Sequence, residues 1–199
     1  MPRVSREQSE RNRQAIEEVS ARLFREHGFR GVSVEHLMAA AGLTHGGFYG
    51  HFDSKDELTA IACSKAFDQS QQSWSRRIDE AVDRRSAYAQ IVSQYLSTRQ
   101  RDESAKGCPL ASFAVDVARE AEDKPVRRAF LEGVKGLADT LTGLLGKRRA
   151  RSAREQALAH LATLVGALAL ARATRGDPIS DEFLQSARQE LLDDARSFG

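Results

Sequence analysis

A chain of 199 residues with 41% hydrophobic side chains is long enough to bury a sizeable core, as one domain or as two small ones. The formal charge is only +2, and residues 1–58 hold eight basic side chains against nine acidic ones, so bulk charge announces no nucleic-acid partner and any such partner must be recognised at one face. The charged amino terminus has no apolar run of the secretory type, and the longest apolar stretch, 156–173, is broken by His160 and rich in alanine, which predicts a buried helix and no membrane span.

Four prolines, clustered glycines and almost no period-2 alternation predict an all-α chain. The first helix should span 5–27, with Ala15, Ile16, Val19, Leu23 and Phe24 on one stripe, and Gly28 follows as a residue able to take positive φ. Ser33 then caps a short helix whose Val34, Leu37, Met38 and Ala41 face inward, and Gly42 ends it. Thr44 is the next N-cap, opening a third short helix over 45–51 whose first turn is His45-Gly46-Gly47 and whose anchors are Phe48 and Phe52. The run 54-SKDE-57 reads as a capping box, in which Ser54 accepts from the Glu57 amide while Glu57 reaches back, and it starts a long helix ending in the region 76–84. Later helices are expected at 86–101, 109–120, 124–145, 152–174 and 180–197. The change near residue 60 from short, tightly punctuated helices to long amphipathic ones predicts a small N-terminal module on a larger helical body.

Two short helices joined by 42-GLT-44 have the layout of a helix-turn-helix, whose second helix is free to enter a DNA major groove. Glycine at 46 and 47 lets backbone approach the duplex with no Cβ between them, at the expense of helix propensity, roughly 1 kcal/mol each relative to alanine. The amides of the helix starts at Thr44 and Ser54 are phosphate sites, with Lys55 adding a full charge and Tyr49 and His51 adding donors.

The segment 23-LFREHGFRGVSVEHLMAAAGLTHGGFYGHFDSKDEL-58 closely resembles the DNA-binding segment of the TetR family of bacterial transcription regulators. The resemblance implies an all-α architecture, with a three-helix helix-turn-helix domain (residues 1–53) followed by a larger helical effector-binding and dimerisation domain (54–199). It implies a homodimer on double-stranded operator DNA, most often a repressor released by a small-molecule effector, with no cofactor, metal or catalytic role. Carried onto this chain it makes Ser33, Thr44, Tyr49, His51 and Lys55 contacts of the module to DNA, the last four to the backbone, with His45, Gly46 and Gly47 at the bases. It places Phe67, Trp74, Tyr88, Tyr95, Phe113 and Phe130 on helices around a ligand cavity, and the lack of a convergent charged group among them favours an apolar or aromatic effector over a phosphorylated one. The helices 158–171 and 183–195 correspond to those that pair across a two-fold axis, which nominates Leu161, Leu164, Leu168, Phe183, Leu184 and Leu191 for the dimer interface.

Only two cysteines occur, without metal-ligand spacing, which suits a reducing cytoplasm. Cys108 stands beside Lys106 and ahead of Pro109 at a helix start, where the dipole and a cation favour a thiolate able to sense an electrophile; a buried packing cysteine is the plainer reading. The basic run 147–154 reads first as a solvated loop and second as a further nucleic-acid patch. Two other classes remain open at this point: a thiol-dependent enzyme with Cys108 as nucleophile and His160 as base, and a helical interaction protein that binds no DNA.

Overall fold

The computed structural model describes residues 6–145 and 152–195, and over these the chain is entirely helical. The α-helices are α1 (Arg6–His27), α2 (Val34–Ala40), α3 (Lys55–Glu80), α4 (Arg84–Tyr95), α5 (Thr98–Asp102), α6 (Pro109–Ala118), α7 (Pro125–Leu144), α8 (Ala153–Ala173) and α9 (Ile179–Ala195). Short 3-10 turns lie at His45–Gly50 and Ser104–Lys106. Gly28 and Gly42 end α1 and α2 with φ of 74° and 73°, the left-handed conformation that a Cβ disfavours.

Three departures from the expected helices have local causes. The segment 45–51 is a 3-10 turn, with Gly47 N–H bonded to Thr44 O and His51 N–H to Phe48 O, because three glycines in six residues remove the propensity that a longer α-helix needs. The helix expected over 86–101 is broken in two at Ser97, whose hydroxyl donates to Gln94 O (2.7 Å) and accepts from the Gln100 amide (3.2 Å), closing α4 and capping α5. In 54-SKDE-57 Ser54 does accept from the Glu57 amide (3.1 Å), but the Glu57 carboxylate reaches one residue further back, to the Asp53 amide (2.7 Å). The reciprocal box occurs instead at Ser152 and Glu155, which starts α8.

Packing follows the apolar stripes. α3 lies against α1 on one side and along α7 on the other, and α8 packs on α7 and α9. One continuous core runs from Phe24, Phe29, Leu37, Met38, Phe48 and Phe52 near the amino terminus through Phe67 and Phe113 to Leu164 and Leu168. α8 is long and apolar enough to cross a membrane by length and composition alone, but Ala157, Leu161, Leu164, Leu168 and Ala171 are spent on this core. The basic run 147–154 lies outside the described residues except for its end, where Arg154 pairs with Asp139.

Candidate nucleic-acid interface

The turn between α2 and the 3-10 segment is built from the sequence outward. Ser33 accepts from the His36 amide (3.1 Å) and so starts α2. Leu43 N–H returns to Met38 O (2.8 Å), and Phe48 and Phe52 stack at 5.7 Å between centroids in the core below. With those rings buried, Thr44, His45 and Gly46 are left exposed, and Tyr49 stands 72% exposed against the edge of Phe48, so it is a surface aromatic and no part of the core. The Thr44 hydroxyl makes no capping bond, and His51 is half-buried.

Arg13, which the sequence pattern did not single out, fixes this surface from behind. Its guanidinium lies 4.4 Å from the Phe52 ring centroid, donates to His51 O and faces Glu17 (3.2 Å) and Glu57 (3.7 Å). A cation within a run of polar side chains gives no sequence signal; its role appears only when residues 38 positions apart are brought together.

Lys55 is turned inward. Its ammonium donates to Phe29 O (2.8 Å) and lies 6.0 Å from the Phe24 ring, and burial pulls its pKa below the usual lysine value against the pull of Asp56 and Glu120. The start of α3 carries Asp56 and Glu57, whose carboxylates offset the helix dipole for an approaching phosphate. Other links tie this region to the body: Phe29 N–H donates to Asp116 (2.9 Å), Arg30 faces Glu120 (3.8 Å), and Lys124 pairs with Asp56.

The six aromatic residues expected around an effector cavity, taken with Cys108, divide. Phe67 packs edge-on to Phe130 at 5.5 Å and Phe113 on Phe29 at 5.0 Å, so these rings belong to the core. Tyr88 is fully buried and hydrogen-bonds His160 Nδ1 (2.8 Å), whose Nε2 meets Asp194 (2.9 Å), an α4–α8–α9 link that the sequence reading missed because its members lie 72 and 34 residues apart. Only Trp74, Tyr95 and Cys108 line a cleft, of about 570 Å³, between α1, α3 and the segment 94–108.

That cleft is polar and charged, lined by Arg22, Arg25, Arg76, Arg77, Arg99 and Lys106, which corrects the expectation of an uncharged cavity. Of the two readings of Cys108 the structure favours the plainer packing cysteine over the thiolate: the side chain is buried, and burial pushes the thiol pKa up although Tyr95, the Leu110 and Ala111 amides and Arg172 pull it down.

The residues nominated for the dimer interface also need correction. Leu161, Leu164, Leu168, Leu184 and Leu191 are buried in the chain's own core and have nothing left to present to a second copy; Phe183 is half-buried. What α8 and the start of α9 do expose is Leu158, Leu170 and Ile179, and a shallow groove in which the nominated Phe183 lies with Ile179 and Glu182 among the small residues Thr163, Gly166, Ala167, Ser186 and Ala187. Among the described residues no group of three or more His, Cys, Asp or Glu side chains could hold a metal ion.

Residues 16–60, which contain this turn, match the family described as bacterial regulatory proteins, tetR family. The chain is 28% identical over 138 residues to the HTH-type transcriptional repressor DhaR of Mycobacterium sp. (strain GP1), a match covering 61% of this chain and 66% of DhaR. It is 27% identical over 158 residues to an uncharacterized HTH-type transcriptional regulator of Lactococcus lactis subsp. lactis, covering 74% of this chain and 76% of that protein. In fold it resembles the reduced form of E. coli NemR, with a TM-score of 0.79 at 20% identity over 92% of this chain and 95% of NemR. A TetR transcriptional regulator from Chloroflexus aurantiacus gives the same TM-score of 0.79 at 23% identity, over 96% and 97% of the two chains.

Proposed function

Because the chain belongs to the TetR family of bacterial regulatory proteins, we propose that it is a cytoplasmic transcriptional repressor, which holds a palindromic operator as a homodimer and leaves it when a small effector binds. The observation that carries this reading is the surface of the 3-10 turn, where Thr44, His45, Gly46 and Tyr49 stand exposed on a segment whose other side is locked by Phe48, Phe52 and Arg13. A rigid, locally bare surface of this kind is what a major groove accepts. Thr44 and Tyr49 then meet phosphates, with Ser33 and His51 flanking, while His45 and the Gly46-Gly47 backbone face the bases. Lys55 joins them only by leaving Phe29 O, so its contribution to affinity is net of that hydrogen bond. Residues 1–53 form the DNA-binding unit and 54–199 the effector and dimer unit.

The dimer forms through the side chains that α8 and α9 leave exposed, Leu158, Leu170 and Ile179, around the groove of small residues. The two recognition turns then lie one helical repeat of DNA apart, about 34 Å. An enzyme built on Cys108 is not favoured, since the histidine nominated as its base is held between Tyr88 and Asp194 and the thiol resists ionisation.

Footprinting on the DNA flanking its own gene tests the reading. Protection of a two-fold symmetric site, weakened evenly across sequences by Tyr49→Phe and changed in base preference by His45→Ala, is the expected result. Sedimentation showing a monomer that binds DNA at full affinity, or no protected site at low salt, overturns it.

A further inference from the structure

The cleft between α1, α3 and residues 94–108 has a charge unlike the rest of the molecule. Its lining holds six cationic side chains and two carboxylates, a surplus of four, whereas the whole chain carries +2, so everything outside the cleft sums to −2. Both carboxylates are already engaged, Glu103 with Arg99 (3.1 Å) and Glu18 with Lys65 (3.1 Å) and the Gln69 amide (3.1 Å). Arg22 faces Glu26 outside the cleft at 3.7 Å.

Arg25, at the base, is the most telling. Only 7% of it is exposed, and it donates to three neutral acceptors: Ala21 O (2.9 Å), Gln69 (2.7 Å) and Gly107 O (3.4 Å). No carboxylate lies within ion-pair distance of it among the described residues. A buried cation with no carboxylate in contact is costly, and burial lowers its pKa against the pull of Cys108 and Glu18. Among the described residues Arg77 is hydrogen-bonded to Ser73 (2.6 Å to the hydroxyl); the exposed Arg76 beside it repels it, and Glu80 attracts it. At the same site Gln100 Oε1 is buried with no hydrogen-bond partner among the described residues.

We propose that this cleft is the binding site of a small organic anion of the phosphate-ester class, which acts as the effector. A single carboxylate offers one charge to a surplus of four; a phosphate ester brings about −1.5 to −2 and three acceptor oxygens, and guanidinium forks bind such oxygens in pairs. Donors and acceptors such as Ser70, Ser73 and Gln94 line the remaining wall and meet the uncharged part of the ligand. The site joins the two halves of the chain: Arg22 and Arg25 belong to α1, whose Arg13 holds the 3-10 turn, while Arg76, Arg77, Arg99 and Lys106 belong to the body. An anion drawing them together changes the angle between α1 and α3 and with it the spacing of the recognition turns. This effector role rests on the repressor reading above; the binding site itself does not.

Trp74, the chain's one tryptophan, lines the cleft and reports occupancy by its fluorescence. The experiment titrates the full-length protein with sodium pyrophosphate at constant ionic strength, without DNA. A saturable change in wild type, with affinity at least about tenfold weaker in Arg76→Gln/Arg77→Gln, is expected. No saturable change, or equal affinity in the two proteins, overturns the site. Both substitutions lie at partly or fully exposed positions, and an unchanged melting curve establishes that the variant folds. Operator binding is then measured with and without pyrophosphate: a shift of roughly 5- to 150-fold in wild type and none in the double variant is expected, the variant controlling for ionic screening of the DNA. Unchanged operator affinity at saturating pyrophosphate overturns the effector role, and failure to bind any operator overturns the repressor reading while leaving the anion titration to be judged alone.

Discussion

The turn at 42–53 and the α3–α7 seam are built on opposite terms. In the turn, glycines and exposed polar side chains surround a few buried rings, and almost every contact that shapes it is local; Gly46 has open space where a Cβ would stand. Along α3–α7 the contacts come from distant parts of the chain, and a Cβ on Gly133 would lie 2.1 Å from the Phe67 ring. The difference teaches that one region is left open to another molecule and the other is packed on its own chain. Substitutions in the first should alter binding more than stability, and in the second the reverse.

The sharpest test of that contrast pairs two glycines. Gly133→Ala forces the Phe67 ring from its place against Phe130, and overpacking of that kind destabilises by roughly 1–3 kcal/mol or more, a clear fall in melting temperature. Gly46→Ala meets nothing within 4 Å, so its melting should be unchanged or slightly raised, while operator affinity falls because the added methyl stands between backbone and bases. A Gly46→Ala protein that melts early, or one that binds operator as wild type does, removes the basis for calling this surface an interface.

Next in size is the buried Tyr88–His160–Asp194 link. Tyr88→Phe keeps the ring but removes the hydroxyl that meets His160 Nδ1 at 2.8 Å, and a buried group losing its partner costs about 1–3 kcal/mol. Equilibrium unfolding should show that loss with operator affinity per folded dimer unchanged. If affinity falls and stability does not, the link belongs to signalling and not to packing.

How much of this could be read from the sequence follows from the range of the contacts. The caps at Ser33 and Ser54, the left-handed glycines at 28 and 42 and nearly every helix boundary rest on neighbours within five residues, so local pattern was enough to place them. Apolar periodicity identified α8 and α9 but could not say which leucines meet their own chain, and five of the six assigned to a partner are in the core. The cleft was misjudged for a related reason: its cations are scattered from Arg22 to Lys106 on three helices and a turn, so aromatic residues stood out in sequence and the charges that converge in space did not. For Cys108 burial decided between the two readings, a quantity that neighbouring residues do not reveal.

The two cysteines extend the comparison to pH. Burial raises the Cys63 thiol to about 12 and moves Cys108 in the same direction. For an acid whose folded pKa lies above its unfolded value, the contribution to stability is complete below the unfolded pKa, near 9, and is lost as pH rises toward the folded one. For Cys63 that amounts to about 1.4 kcal/mol by pH 10. Wild type should therefore lose stability between pH 9 and 11 more steeply than Cys63→Ala, and neither thiol should label at pH 8 except at the rate of unfolding. Rapid labelling of Cys108 in the folded protein would restore it as a sensor.

The smallest effect separates the regions most cleanly, because the chemistry is the same in both. Ser54 accepts from the Glu57 amide at 3.1 Å at the start of α3, and Ser152 accepts from the Glu155 amide at 3.2 Å at the start of α8. Removing either hydroxyl by alanine leaves one amide without its intramolecular partner, at about 1 kcal/mol each. Exposed as both serines are, water takes up part of the loss, so the two variants should melt within a degree or two of one another. Only Ser54 stands three residues from His51, on the segment that carries the recognition turn into α3, so only Ser54→Ala should also weaken operator binding, and evenly across base sequences since it moves the backbone and reads no base. An equal loss of operator affinity in Ser152→Ala would mean that global stability, and not the local set of the turn, governs binding, and the distinction between the two regions would fail.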